Sequence, residues 1–100
     1  MFKFGLLVRL EAKPGKEAAL ENFLRAGLAL AKDERFTPLW FALKIGPSTF
    51  GIFDAFADEE SRQAHLTGRI AKALMANAAE LLSEPPKIEP VDVIEAKFAC

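Results

Sequence analysis

Residues 49–68 constrain the fold of this chain more than any other segment. They begin with alternating apolar positions up to Phe56, and this period of two predicts a strand. Asp58 follows, with two glutamates behind it. This pattern predicts a helix N-terminus, because an aspartate caps free N–H groups and acidic charges favour the positive end of the helix dipole. We expect a short helix that runs to Gly68 and carries His65, the only histidine of the chain.

The remaining elements follow from the same two periodicities. Alternation predicts strands over residues 2–11, 39–45 and 88–98, and helical spacing of apolar residues predicts helices over residues 17–31 and 69–82. Gly27 lies inside the first helix at a cost of roughly 1 kcal/mol relative to alanine, which we attribute to a close approach of helix and sheet. The order β-α-β-β-α-β, with its second helical region split, predicts an α+β ferredoxin-like fold. Such a fold has one four-stranded antiparallel sheet with helices on one face.

Length and charge restrict the class of protein. A chain of 100 residues is expected to form a single domain over residues 1–100. The net charge is −1 and both signs are interspersed, so we expect no nucleic-acid surface. No run approaches the ~20 apolar residues of a membrane span. Cys100 is alone and cannot form an internal disulfide, which favours a cytoplasmic location.

The predicted sheet has apolar side chains on both faces. We expect Leu7, Trp40 and Phe53 on the face without helices. A sheet that stands alone in water needs a polar second face. We therefore predict that a second copy of the chain covers this face in a twofold homodimer. The alternative is a monomer with an exposed apolar sheet.

His65 is the first candidate for catalysis, because its ordinary pKa of ~6.5 suits proton transfer near neutrality. Arg62 and Arg69 lie at i−3 and i+4, so all three residues could share a helix face and hold an anionic oxygen. Asp54 is the one charge in an apolar strand and needs a partner there, either His65 or an arginine such as Arg9 or Arg62. The alternative is structural: His65 hydrogen-bonded to backbone or to Asp54, and Asp54 in an ion pair.

A pocket for a flat aromatic ligand is the second candidate site. Its predicted lining is Trp40, Phe41, Phe53 and Met75, with Asn77 as a hydrogen-bond donor. The alternative is that these four apolar residues belong to the core and that Asn77 lies at the boundary of the core. No closely spaced histidine, cysteine or carboxylate ligands predict a metal site, and no glycine-rich loop predicts a phosphate site. We therefore predict neither a metal nor a cofactor.

Three segments in order resemble the antibiotic biosynthesis monooxygenase-like family of the dimeric α/β-barrel superfamily. They are LVRLEAKPGKEAALENFL (residues 7–24), TPLWFALKIGPSTFGIFDAFADEESRQAHL (37–66) and LLSEPPKIEPVDVIEAK (81–97). The resemblance implies two copies packed sheet to sheet, with a pocket between helices and sheet. It also implies cofactor-independent oxygenation of a polycyclic phenol or quinol, with His65, which matches the family's helix histidine, as base or donor.

Three departures from the family pattern narrow the activities that the resemblance implies. The chain has no tyrosine for a tyrosine-dependent proton relay, and Phe56 stands where the family often has tryptophan. Haem-degrading relatives use an asparagine on the first strand, which is absent here. The prediction is thus a cofactor-independent monooxygenase of an aromatic or quinol-type molecule. The alternative is a non-catalytic ligand-binding or stress-related homodimer in which His65 is structural.

Overall fold

Four strands and three helices make up residues 2–98, the part of the chain that the computed structural model describes. In order they are β1 (Phe4–Glu11), α1 (Glu17–Asp33), β2 (Leu39–Lys44), β3 (Thr49–Phe56), α2 (Glu59–Leu66), α3 (Arg69–Leu81) and β4 (Lys87–Asp92). This order confirms the predicted α+β ferredoxin-like fold, including the split of the second helical region into α2 and α3. Cys100 lies outside the described residues.

The sheet is antiparallel, with strand order β2-β3-β1-β4. Leu6 of β1 and Trp40 of β2 both pair directly with Asp54 of β3, so these three side chains share one face. The helices cover this face. Its core is completed by apolar residues of both layers: Val8, Leu10, Ala12, Leu20, Leu24, Phe50, Ile52, Leu74, Leu81 and Leu82.

The sequence signals at the start of α2 act as predicted. The Asp58 side chain accepts a hydrogen bond of 2.7 Å from the backbone N–H of Ser61, and Glu59 and Glu60 lie in the first turn. The close approach of helix and sheet that we predicted at Gly27 of α1 is also present, since a Cβ there would lie 3.3 Å from the indole ring of Trp40. Helix and sheet therefore lie close together at the indole of Trp40.

The position of Trp40 corrects one prediction. We expected it on the face without helices, but its pairing with Asp54 places it on the helix face. Its neighbour Phe41 pairs with Phe53 on the other side, where their rings stack with centroids 6.3 Å apart. We call this uncovered side the open face; its apolar residues are Leu7, Leu39, Phe41, Leu43, Phe53 and Val91.

The last strand is shorter than the predicted 88–98. It ends at Asp92, because β1 begins at the paired Phe4 and offers no further partner. One backbone hydrogen bond beyond it joins Val93 to Lys3. Pro90 is accommodated because β4 is an edge strand, where one N–H fewer breaks no ladder.

Candidate functional site

A buried cluster of polar side chains lies between the helices and the sheet. His65 of α2 is at its centre: Nε2 lies 2.8 Å from Asp54 Oδ2, and Nδ1 lies 2.7 Å from Glu34 Oε1. The Thr37 hydroxyl donates to Glu34 Oε1 at 2.9 Å. We refer to Glu34, Thr37, Asp54 and His65 as the buried cluster. Asp54 is fully buried, and the other three are less than a tenth exposed.

The end of α1 delivers Glu34 to this cluster. Glu34 is the C-cap residue, and the chain turns behind it because the Thr37 N–H bonds back to the Glu34 carbonyl at 3.0 Å. The turn directs the carboxylate inward. Gly68 leaves room for it, since a Cβ there would lie 2.7 Å from Glu34 Oε2. Three elements distant in sequence thereby meet at one imidazole ring.

Opposing effects act on the charge of His65. Burial lowers the pKa of the ring, whereas the Asp54 carboxylate and then the Glu34 carboxylate raise it, and the result is a pKa above the ordinary 6.5. The ring of Phe56 packs against the imidazole with centroids 5.3 Å apart and keeps water from that side. The two carboxylates thus favour the protonated form of His65 and outweigh the effect of burial on its pKa.

Three buried polar groups, two in the cluster and one beside it, have unused hydrogen-bonding capacity. Asp54 Oδ1, Glu34 Oε2 and Trp40 Nε1 have no hydrogen-bond partner among the described residues. Asp54 Oδ2 is in ionic contact with His65 but lacks the alignment of a hydrogen bond. Buried polar groups are normally paired. The expected partner of each unpaired group is therefore a ligand, an ion or a water molecule.

Trp40 lies between two depressions. On one side is a small apolar pocket of about 80 Å³, which we call the apolar pocket. It lies between α1, α3 and the sheet, and its lining is Phe23, Leu24, Ala26, Gly27, Leu30, Trp40, Ile52, Ile70, Ala73 and Leu74. On the other side is a solvent-open groove that also contacts Glu34 and Thr37 of the buried cluster. The indole thus borders the pocket, the groove and the cluster.

The structure brings two of the three predicted catalytic residues together. Asp54 and His65 are in contact, whereas Arg62 points elsewhere. Its guanidinium pairs with Glu59 and donates to the carbonyls of Gly5 and Val91, each at 3.2 Å. These contacts tie α2 to β1 and β4. The other arginine considered for an anion site, Arg69, does not reach the cluster: it is largely exposed near Asp33.

The five predicted pocket residues do not share one pocket. Trp40 lines the apolar pocket, but Phe41 and Phe53 lie on the open face. Met75 is 58% exposed, and the Asn77 side chain donates to the carbonyl of Ala73 within its own helix. Alternation along β2 separates neighbours such as Trp40 and Phe41 onto opposite faces, so they cannot line the same cavity.

Glu34 and Thr37 are the members of the buried cluster that sequence reasoning missed. The available signal was local: a carboxylate directly after a helix, with threonine three residues later. That spacing permits a side chain-to-side chain hydrogen bond within a turn. It does not indicate that the turn folds onto a histidine 31 residues further along the chain.

The pH dependence of stability tests the charge of His65. Because the folded pKa lies above the unfolded value of 6.5, the stabilisation is fully present below that value and is lost as pH rises through the folded pKa. We expect the free energy of unfolding, measured in urea, to fall as the pH rises above about 6.5, with a slope of at most ~1.4 kcal/mol per pH unit. His65→Gln should remove this slope. A stability that rises over the same range would contradict the assignment.

This pH window avoids the titration of other perturbed groups. Glu11, Glu21, Asp58 and Glu59 each have a pKa lowered by a hydrogen bond from a neighbouring residue. Their contribution to stability is present above the unfolded pKa and is lost as pH falls through the folded pKa, on the acid side of the window.

Comparison with known structures identifies the relatives of this chain. The NE2512 protein of Nitrosomonas europaea, a protein of unknown function, is 65% identical, with a TM-score of 0.96 over 100% of this chain and 97% of that one. The chain belongs to the same family as NE2512. No protein-family model matches the sequence, and no curated protein matches it.

More distant structures share the fold of the NE2512 family. Rv0793 of Mycobacterium tuberculosis is 14% identical, with a TM-score of 0.81 over 95% of this chain and 98% of that one. An antibiotic biosynthesis monooxygenase is 11% identical, with a TM-score of 0.78 over 92% and 99%. The resemblance predicted from the sequence is thus confirmed at the level of the fold.

Two structural findings bear on other predictions. None of the described helices is long and apolar enough to cross a membrane. Among the described residues, no group of three histidine, cysteine or acidic side chains is arranged as metal ligands. In the buried cluster the carboxylates face opposite nitrogens of one ring instead of converging on a point. The cytoplasmic location stays a prediction.

Proposed function

We propose that this chain binds a small quinol-type aromatic molecule in the apolar pocket and catalyses its oxygenation by O₂ without a cofactor. The observation that carries the proposal is the juxtaposition at Trp40. Its indole lines the apolar pocket and carries a buried, unpaired N–H, and its strand position lies directly opposite the Asp54 of the buried cluster. The fold shared with an antibiotic biosynthesis monooxygenase supports the same reaction class.

The chemistry divides between substrate and protein. The Asp54–His65 pair accepts the proton of a substrate hydroxyl, and the electron-rich anion then reacts with O₂. A quinol and O₂ give a hydroxylated quinone and water, so one oxygen atom enters the ring and the other leaves as water. This balance needs no further reductant. The N–H of Trp40 donates to the negative oxygen while it develops, in surroundings from which water is excluded.

Binding requires the apolar pocket to expand. Its volume of about 80 Å³ is below the ~150 Å³ cavity that admits benzene. The walls that can separate are α1 and α3, which pack together above Trp40 and Ile52. The groove on the far side of Trp40 is the natural entrance, because it connects solvent with the indole.

We also propose that the chain works as a homodimer that covers the open face. Phe41 is 49% exposed there and Leu43 is 36% exposed. Contiguous apolar patches of this kind on soluble proteins mark interaction sites. A second copy offers a matching apolar face through a twofold axis, the commonest symmetry of oligomers.

Oxygen consumption with a panel of quinols tests the proposed reaction. We expect turnover by the wild type and a kcat/KM about tenfold lower for Trp40→Phe, since one hydrogen bond is worth about 1–1.5 kcal/mol. Met75→Leu is the matched control, because Met75 lies outside the apolar pocket. The assignment fails if no quinol raises oxygen uptake, or if Asp54→Asn retains the wild-type rate.

A non-catalytic ligand-binding protein is the second candidate function. The small volume of the apolar pocket and the engagement of both ring nitrogens of His65 favour it. Trp40, the only tryptophan, reports ligand entry by its fluorescence. Saturable quenching by a quinol without oxygen uptake would select this function over the first.

A further inference from the structure

Each ring nitrogen of His65 faces a carboxylate oxygen. Asp54 Oδ2 lies 2.8 Å from Nε2, and Glu34 Oε1 lies 2.7 Å from Nδ1. A neutral imidazole carries one N–H and one lone pair, whereas the imidazolium carries two N–H donors. A lone pair facing a carboxylate at this distance is repulsive. The two-sided contact therefore matches the imidazolium, whose positive charge attracts both carboxylates and which presents no lone pair to either of them.

We propose that Glu34 is a positioning residue: it fixes His65 as an imidazolium and leaves Asp54, rather than His65, to accept the proton of the substrate. This assignment rests on the proposed function for the identity of the reaction. The state of His65 can be measured without any substrate. The positioning role of Glu34 and the proposed oxygenation can therefore fail separately.

The surroundings of His65 support this division of roles. Among the described residues, the titratable groups in contact with the ring are Asp54 from β3 and Glu34 from the end of α1. The Thr37 hydroxyl lies 3.3 Å from Nδ1. Arg62, on the same helix, is directed to Glu59 and to backbone carbonyls, and the Arg69 of α3 is exposed near Asp33. The imidazolium is thus the cation that the two buried carboxylates share.

The Asp54 carboxylate has one oxygen that can accept a proton. Oδ2 contacts the imidazolium, and Oδ1 is buried with no partner among the described residues. An imidazolium has no lone pair to accept a proton, but Oδ1 does. In the proposed step Oδ1 takes the proton of the substrate hydroxyl, and the resulting carboxylic acid returns it to the oxygen atom that leaves as water. The protein ends each turnover in its starting protonation state.

Nitrogen-15 NMR of the ring tests the assignment directly, because His65 is the only histidine. We expect both ring nitrogens of the wild type to carry protons at about neutral pH. In Glu34→Gln the titration midpoint should fall by roughly one pH unit, as expected when an opposite charge in contact is removed. Asp33→Asn is the matched control. Asp33 is an exposed carboxylate at the same helix end, and its removal should leave the midpoint unchanged.

Two results would overturn the proposal: a ring with a single N–H at neutral pH in the wild type, or a midpoint that does not move in Glu34→Gln. If Glu34→Gln fails to fold, the wild-type spectrum decides alone. With an active quinol, Glu34→Gln should lower kcat near neutrality and shift the pH profile, with KM unchanged and partial recovery in Glu34→Asp. Absence of turnover together with an imidazolium spectrum would reject the oxygenation and retain the positioning role.

Discussion

Replacing Asp54 with alanine is expected to lower the free energy of unfolding by about 3 kcal/mol or more, because it leaves one partner of a buried ion pair without its counter-charge. Asp54 is fully buried and its carboxylate lies 2.8 Å from His65 Nε2. For a domain of this size the loss corresponds to a decrease in Tm of ~12–24 °C. Thermal unfolding followed by circular dichroism measures it. Activity on any accepted quinol should be abolished in the same variant.

The control for this substitution is Glu80→Ala. Glu80 is an exposed carboxylate on helix α3, away from the open face, and its removal should change stability by no more than about 0.5 kcal/mol. A double-mutant cycle isolates the ion pair: His65→Gln should cost less in an Asp54→Asn background than in the wild type. Equal costs in the two backgrounds would show that the two side chains act independently, contrary to the contact described here.

The strand-to-helix unit of residues 49–68 could be predicted because its determinants are local. Alternation up to Phe56 and the cap at Asp58 act within a few residues, and both appear as expected. The end of β4 could not be predicted in this way. It depends on where β1 stops offering partners, and that position is defined by pairing between strands far apart in sequence.

Two residues of the candidate site could be predicted because each one stands out in the sequence by its own residue type. A lone charge in an apolar strand identified Asp54, and a unique histidine identified His65. The face occupied by Trp40 was not predictable, because alternation defines two faces without saying which one the helices cover. Glu34 was missed for a related reason. Its inward direction depends on a turn held by Thr37 and on the space above Gly68.

The homodimer is the other property with a large expected effect. Light scattering of the wild type at micromolar concentration should give twice the 11.0 kDa mass of one chain. Phe41→Lys should give the monomer mass. The substitution places a charge among the apolar side chains of the open face, where Phe41 stacks on Phe53, and charges are depleted in the buried parts of interfaces.

Ile88→Lys is the matched control, because it adds the same charge to the sheet outside the open face. Ile88 is 43% exposed on an edge strand and pairs with Val8, so it lies on the helix side of the sheet and outside the open face. It should remain dimeric. Phe41 is half exposed, so Phe41→Lys is expected to keep the fold, and circular dichroism checks this. A monomeric wild type at micromolar concentration would reject the dimer, because stable protein–protein interfaces bury about 800 Å² per partner and persist in that range.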